Sequence, residues 1–358
     1  MANELGKLRE QIDKLDEQLQ QLLNERAKLA QQVALAKNSS DDTNFYRAER
    51  EAQVLRTVKQ RNEGPLSDEE IARLFREIMS ACLALEQVMS IAFLGPEGTF
   101  TQAAVLKHFG HSVKPLPMAS IHDVFREVES GNASYGVVPV ENSTEGVVNH
   151  TLDEFMNSSL NICGEVELRI HHHLMGKITS LDQASIIYSH QQSLAQCRKW
   201  LEVNLPTVEQ RDVSSNAEAA RLTAEKPNSV AIAGETAAEI YGLNILAKNI
   251  EDEPDNTTRF LVIGKRVTPA SGADKTSLLI STHNKPGALH AILEPLVKNR
   301  ISMTRIESRP SRRGMWDYVF FIDFEGHRDE PNVAQAIADL EKAASFVKVL
   351  GSYPRAVL

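Results

Sequence analysis

Two hydroxyls and a guanidinium stand side by side at Thr257-Thr258-Arg259, between an acidic loop (Glu251-Asp252-Glu253-Pro254-Asp255) and an apolar run from Phe260 to Ile263. At the edge of a sheet, such a trio can donate hydrogen bonds to an oxyanion or a leaving hydroxyl. A second stretch, Val138-Pro139-Val140-Glu141-Asn142-Ser143-Thr144-Glu145-Gly146, puts an acid, an amide and hydroxyls at the end of an apolar run. Open α/β sheets bind ligands at such strand ends. A third, Gly95-Pro96-Glu97-Gly98-Thr99-Phe100-Thr101, reads as a glycine-rich strand-to-helix turn that presents N–H groups and hydroxyls to an anion. Its spacing is neither GxGxxG nor a P-loop, so no nucleotide is expected. His171-His172-His173 resembles a metal set, but only alternate strand residues share a face and no Cys or HExxH pattern accompanies it. No metal or cofactor is expected.

A different chemistry is written into the N-terminal ninety residues. Leu5, Leu8, Ile12, Leu15, Leu19, Leu22, Leu29 and Val33 recur in steps of three and four, which predicts one long amphipathic helix over 5–37 with a coiled-coil-like seam. Arg26 occupies the seam between Leu22 and Leu29. A cation on an apolar stripe needs a partner. Lys37 shares that face about 16 Å along the axis, so two cations point into one interior and call for an anionic ligand or buried acids. Arg9 lies roughly 100° around the helix and could serve the same pocket from a second copy. A second helix is predicted from Tyr46 to Arg61, ended by Gly64-Pro65. A third runs from Glu69 to Val88 behind the capping box Ser67-Asp68-Glu69-Glu70. So wide an apolar surface makes a thin monomer and favours an intertwined dimer.

Beyond residue 90, short apolar runs alternate with helical patterns in an α/β order, and a long strand over 162–175 could cross between two lobes and leave a cleft. After residue 274 the order strand, helix, strand, strand, helix, strand is the ferredoxin-like split arrangement. The expected domains are 1–89, 90–267 and 274–354: all-α, two-lobed α/β and α+β.

The residues of the first unit, Leu8-Arg9-Glu10-Gln11-Ile12-Asp13, Asn24-Glu25-Arg26, Ala36-Lys37 and Tyr46-Arg47-Ala48-Glu49-Arg50-Glu51, resemble the all-helical chorismate mutase family. The resemblance implies that Arg9 (from a partner protomer), Arg26, Lys37 and Arg50 grip the carboxylates of chorismate. Glu51 would take the substrate hydroxyl. Where members commonly carry a glutamine that donates to the ether oxygen, this chain has Glu86, which can donate only when protonated. The mutase is therefore expected to favour acid pH. Cys82 stands where a serine is expected. The middle segment resembles prephenate dehydratase through Gly95–Thr101, Val138–Gly146, Leu168-Arg169-Ile170 with His172, Tyr188-Ser189-His190 with Gln196, Ser214–Ala217 and Thr257-Thr258-Arg259-Phe260. That family resembles two-lobed periplasmic binding proteins, and the likeness makes Thr258 the catalytic threonine. Glu141 becomes an acid that could act through it. Asn142, Ser189 and Gln196 become cleft residues, and Thr99 and Arg259 substrate contacts. The last segment, with Asn284-Lys285-Pro286-Gly287-Ala288-Leu289 and Glu307-Ser308-Arg309-Pro310, resembles the ACT domain, in which these motifs bind phenylalanine between protomers.

Mutase, dehydratase and ACT in that order imply a bifunctional enzyme of phenylalanine biosynthesis. It would act on chorismate and prephenate, be inhibited by phenylalanine and be at least a homodimer. Two other readings fit parts of the chain. Cys82 and Glu86 allow a dehydratase whose helical segment has become a dimerisation element, although Arg26 on the seam argues against it. A non-enzymatic amino-acid sensor is the other, and Thr258 with its polar neighbours argues against that. The bulk properties agree with an ordinary globular enzyme: 358 residues, 42% hydrophobic, 24% charged and a net charge of −9. They provide no broad basic footprint for nucleic acid or acidic membranes. No apolar run near 20 residues occurs, and the polar start is not expected to act as a signal peptide. Cys82, Cys163 and Cys197, odd in number and far apart, point to buried thiols in a reducing cytoplasm.

Overall fold

The computed structural model describes residues 2–38, 46–282, 285–310 and 318–358. Asn284 of the ACT turn lies outside them, as does the side chain of Lys37. The chain opens with α1 (Ala2–Asn38), α2 (Ala48–Gln60) and α3 (Asp68–Ala84). Ser67 caps α3 by accepting from the Glu70 N–H, as its capping box requires. The helix stops at Ala84, one turn short of the predicted Val88, which leaves Glu86 just beyond it. Helices α2 and α3 pack through Leu55, Ala72 and Met79, and α1 also touches α3.

The middle of the chain forms two lobes. The first contains β1 (Ser90–Leu94), α4 (Phe100–Phe109), β2 (Lys114–Met118), α5 (Ile121–Ser130), β3 (Tyr135–Asn142), β4 (Gly146–Val147), α6 (Asn149–Asn157) and β5 (Asn161–Arg169). The second contains β6 (His173–Gly176), β7 (Ile186–Ser189), α7 (Gln191–Gln196), α8 (Arg198–Asn204), β8 (Glu209–Asp212), α9 (Asn216–Glu225), β9 (Ser229–Ala233), α10 (Glu235–Tyr241) and β10 (Asn244–Ala247). The expected long strand is in fact two strands. Its crossing, 170–172, belongs to neither sheet, because the Ile170 N–H bonds to Asn256 O and the His172 N–H to the Glu251 carboxylate. Chain return then inserts β11 (Thr257–Gly264) between β3 and β5, antiparallel to both, in the order β2-β1-β3-β11-β5. The second sheet runs β10-β6-β9-β7-β8.

A four-stranded sheet, β13-β14-β12-β15, closes the chain: β12 (Asp274–Thr282), α11 (Ala288–Lys298), β13 (Met303–Pro310), β14 (Tyr318–Glu325), α12 (Pro331–Ala343) and β15 (Phe346–Pro354). This is the βαββαβ order, with α11 and α12 packed on Leu278, Ile280, Ile322 and Phe324. Strand β15 lies directly on β5, where Gly351 meets the backbone of Ile162 so closely that no side chain would fit. Among the described residues no helix is long and apolar enough to cross a membrane.

Candidate active sites

A cleft of about 520 Å³ opens between the two lobes. Its floor is the C-terminal end of β3 and the start of β11. Successive strand residues face opposite sides, so the register Thr258↔Asn142 and Arg259↔Glu141 sorts four candidates into two pairs. Thr258 and Asn142 face the cleft; Arg259 and Glu141 face away from it.

The Asn142 amide has one orientation. Its Oδ1 accepts the backbone N–H groups of Thr144 and Glu145, each at 3.0 Å. Its Nδ2 must then donate, and it does so to Asn256 Oδ1 at 2.8 Å and to Thr258 Oγ1 at 2.7 Å. Asn256 passes the chain on to Gln196 Oε1 at 3.4 Å, which also meets His172 Nε2 at 2.8 Å. An amide oxygen only accepts, so His172 carries its hydrogen on Nε2. Burial holds that ring neutral by lowering its pKa. Both crossing segments and both lobes are thereby stitched to one hydroxyl. Thr258 Oγ1, having accepted from Asn142, directs its own hydrogen elsewhere.

The other cleft walls are the turns at Gly95–Thr101 and Ser214–Ala217, with Glu145 at the rim, where Gln196 Nε2 donates to it at 3.3 Å. No lysine or arginine is among the described residues lining the cleft. The N-terminal turns of α4 and α9 border it and offer neutral donors.

On the opposite face, Arg259 is buried in a charge network. Its Nε meets Glu165 at 2.9 Å, Nη1 meets Asp323 at 2.6 Å and Nη2 donates to Tyr353 at 3.0 Å. Burial alone would loosen its proton, but Tyr353, Asp323 and Glu165 hold its pKa above the ordinary arginine value. Lys275 joins Glu165 at 2.9 Å. Glu141 pairs with Arg305 of β13 at 2.9 Å, and Arg309 on the same face reaches Asp153 of α6 at 2.9 Å and Asn149 O at 2.7 Å.

In the helical unit, Glu51 of α2 pairs with Arg76 of α3. Arg26 of α1 is half-buried and close enough to lower the pKa of Glu51, which burial raises on balance. Arg9 and Arg50 are exposed, and Cys82 is buried.

Residues 8–87 match the chorismate mutase type II family, 91–268 prephenate dehydratase and 276–342 the ACT domain. The bifunctional chorismate mutase/prephenate dehydratase of Stutzerimonas stutzeri is 58% identical over 362 residues, covering 100% of this chain and 99% of that one. The chain belongs to the bifunctional chorismate mutase/prephenate dehydratase family. Among solved structures, prephenate dehydratase from Arthrobacter aurescens in complex with L-Phe is 35% identical, with a TM-score of 0.69 over 75% of this chain and 90% of that chain. GqqA, described as a novel type of quorum-quenching acylase, is 30% identical, with a TM-score of 0.70 over 75% of this chain and 98% of that chain.

Within this bifunctional frame the structure revises several expected roles. Arg259 cannot contact a substrate in the cleft, because strand alternation turns it to the ACT side. Glu141 cannot act through Thr258, for the same reason; Glu145 is the acid of that stretch lining the cleft. Ser189 is fully buried and bonds Asn216 Oδ1 at 3.1 Å, so it sets the start of α9 without lining the cleft. Thr99 lines the cleft, yet its hydroxyl donates to Leu94 O at 3.1 Å and accepts from Gln102 N, which makes it an N-cap. The three histidines serve separate partners, Glu251, Gln196 and the Asn249 N–H.

Asn256, Asn216 and Arg76 were not expected in sites. Asn256 lies two residues before Thr258, so the period-2 rule would have found it. Arg76 sits on the apolar stripe of α3 with Ala72 and Met79, the same anomaly that singled out Arg26. In the ACT domain, Gly287 takes a left-handed φ of 80° before Ala288 and Leu289 start α11. Glu307-Ser308-Arg309-Pro310 forms the second half of β13.

Proposed function

We propose that the cleft converts prephenate to phenylpyruvate with Thr258 as the group that meets the departing hydroxyl. The observation that carries this reading is the polarity of the Asn142–Thr258 hydrogen bond. Because Asn142 donates, the Thr258 hydrogen is available to the cleft. As the ring carboxylate leaves as carbon dioxide, its bonding pair flows into the ring and expels hydroxide, which takes up a proton to become water. A hydrogen bond from Thr258 opposes the charge building on that oxygen. Asn142 strengthens the donor by polarising it, and Asn256 and Gln196 keep the amide aimed. The substrate carboxylates are anchored by the N-terminal turns of α4 and α9 in place of arginines.

The helical unit supplies prephenate from chorismate. Arg26, Lys37 and Arg50 of one protomer and Arg9 of a second hold the two carboxylates, Glu51 takes the hydroxyl and protonated Glu86 donates to the ether oxygen. This rearrangement needs only a held compact conformer and stabilised charge. Cys82 completes the pocket wall. Phenylalanine binds at Gly287, Ala288, Leu289 and Glu307-Ser308-Arg309-Pro310 between ACT domains and inhibits the dehydratase. The full-length match to bifunctional relatives supports two activities over a dehydratase with a degenerate helical arm.

Chorismate supplied to the purified chain, with its loss and phenylpyruvate formation followed together, tests the pair of activities. Thr258→Ala is expected to lower dehydratase kcat by about 10²- to 10³-fold and to leave chorismate consumption and phenylalanine binding intact. Loss of all three would make Thr258 structural and overturn the assignment.

A further inference from the structure

Arg76 is an expensive residue. It is 94% buried, since its relative exposure is 6%, and it lies in the middle of α3 among Ala72, Met79 and Ser80. Its ion-pair partner is Glu51 of α2, and its Nε, also buried, has no hydrogen-bond partner among the described residues. A buried ion pair kept only for stability is commonly outperformed by apolar side chains. A half-satisfied one calls for another explanation.

The surroundings provide that explanation. The charged and titratable groups acting on Glu51 are Arg26 from α1, Glu49 from α2, Arg76 from α3, and the nearby Tyr46 and Tyr135. Arg76 is the cation that touches the carboxylate; Arg26 acts from farther away. Helix α3 is itself braced against the first lobe. Glu77 accepts from the His111 N–H at 3.1 Å, and Ser80 Oγ from the Ser112 N–H at 3.2 Å, one turn beyond Arg76. The turn of α3 that follows Arg76 is therefore held by the first lobe.

We propose that Arg76 is a positioning residue of the mutase: it clamps one oxygen of Glu51 and keeps the carboxylate charged, leaving the other oxygen to accept the hydroxyl of chorismate. This rests on the assignment of Glu51 above. Burial raises the Glu51 pKa while Arg76 opposes the rise. Removing the guanidinium leaves burial less opposed, so the acid stays protonated to higher pH than in the parent chain and loses the partner that aims it. A lysine can restore the charge, although not the planar fork.

The experiment compares Arg76→Met, Arg76→Lys and Glu51→Gln in the full chain, with dehydratase activity and thermal unfolding measured on the same samples. Arg76→Met is expected to lower mutase kcat/KM by about a hundredfold at pH 6 and by less as the pH rises. The variant-to-wild-type ratio cancels the contribution of Glu86 to the profile. Arg76→Lys should recover part of the loss, and dehydratase kcat should hold in both. A ratio that is flat with pH, or mutase and dehydratase lost in parallel with the fold, would overturn the proposal and make Arg76 structural. Glu51→Gln separates the layers. If it keeps full mutase activity, the Glu51 assignment fails; if it loses activity while Arg76→Met does not, the positioning role alone fails.

Discussion

Adjacent residues divide the labour at Thr258 and Arg259. One peptide step along β11 carries the side chain from a polar cleft to a buried inter-domain charge network. Arg259 satisfies three partners on two domains, and its removal would strand Glu165 and Asp323 without their shared cation. Arg259→Met is expected to destabilise the chain by ~3–5 kcal/mol, read as a lower denaturant midpoint. KM for prephenate should change little. A large rise in KM without loss of stability would return Arg259 to the substrate. The two oxygens of Asn142 Oδ1 and Thr258 Oγ1 show the same economy at closer range: one amide, oriented by two backbone N–H groups, determines which way a neighbouring hydroxyl can donate.

Helices α1, α2 and α3 differ in what they pack against. Tyr46, just before α2, enters the first-lobe core and its hydroxyl meets His108 Nε2 of α4 at 2.9 Å. Burial first, and then Arg76, push the His108 pKa from 6.5 down to about 3. The folded ring stays neutral while the unfolded one protonates below pH 6.5, so stability is full above that pH and is lost as the pH falls toward 3. The slope is about 1.4 kcal/mol per pH unit. His108→Gln should flatten acid unfolding followed by circular dichroism between pH 6 and 4. Helix α1 is the opposite case, because Leu8, Ile12, Leu15, Leu19 and Leu22 are all more than half exposed along its length. A solvated stripe of this length is stable when a second copy covers it. Leu15→Asp with Leu19→Asp should lower the assembly state in sedimentation and, with Arg9 proposed to act in a partner's site, abolish mutase activity. Dehydratase kcat should persist.

At the scale of the molecule, the ACT sheet is wired to the dehydratase from two sides. Strand β15 and the Arg259 network hold the back of β5 and β11, while Arg305 and Arg309 hold Glu141 and α6. Helix α6 follows Val147 and Val148, which line the cleft. Phenylalanine can inhibit only by favouring one arrangement of these contacts over another. Arg305→Met lies outside the phenylalanine motifs. It should preserve phenylalanine binding by calorimetry while weakening inhibition of the dehydratase at least ~5-fold. Unchanged inhibition would place the coupling elsewhere.

The amino-acid sequence alone determined the order of three folding units, the helical seam, the ferredoxin-like order and the stretch that holds Thr258. Each is a local matter of period, capping and motif, so each is legible in one dimension. Broken elements were harder to read: the strand expected over 162–175 splits where Glu251 and Asn256, some 80 residues away, capture its backbone. The direction of each side chain was decided only in the tertiary structure. Glu141 and Arg259 sat in the right motifs, yet register turned both toward a domain whose position no motif records. Asn256, Asn216 and Arg76 gained their partners across sheets and helices. A motif specifies which groups are near a strand end; the pairing of that strand with its neighbours decides which of them share a face.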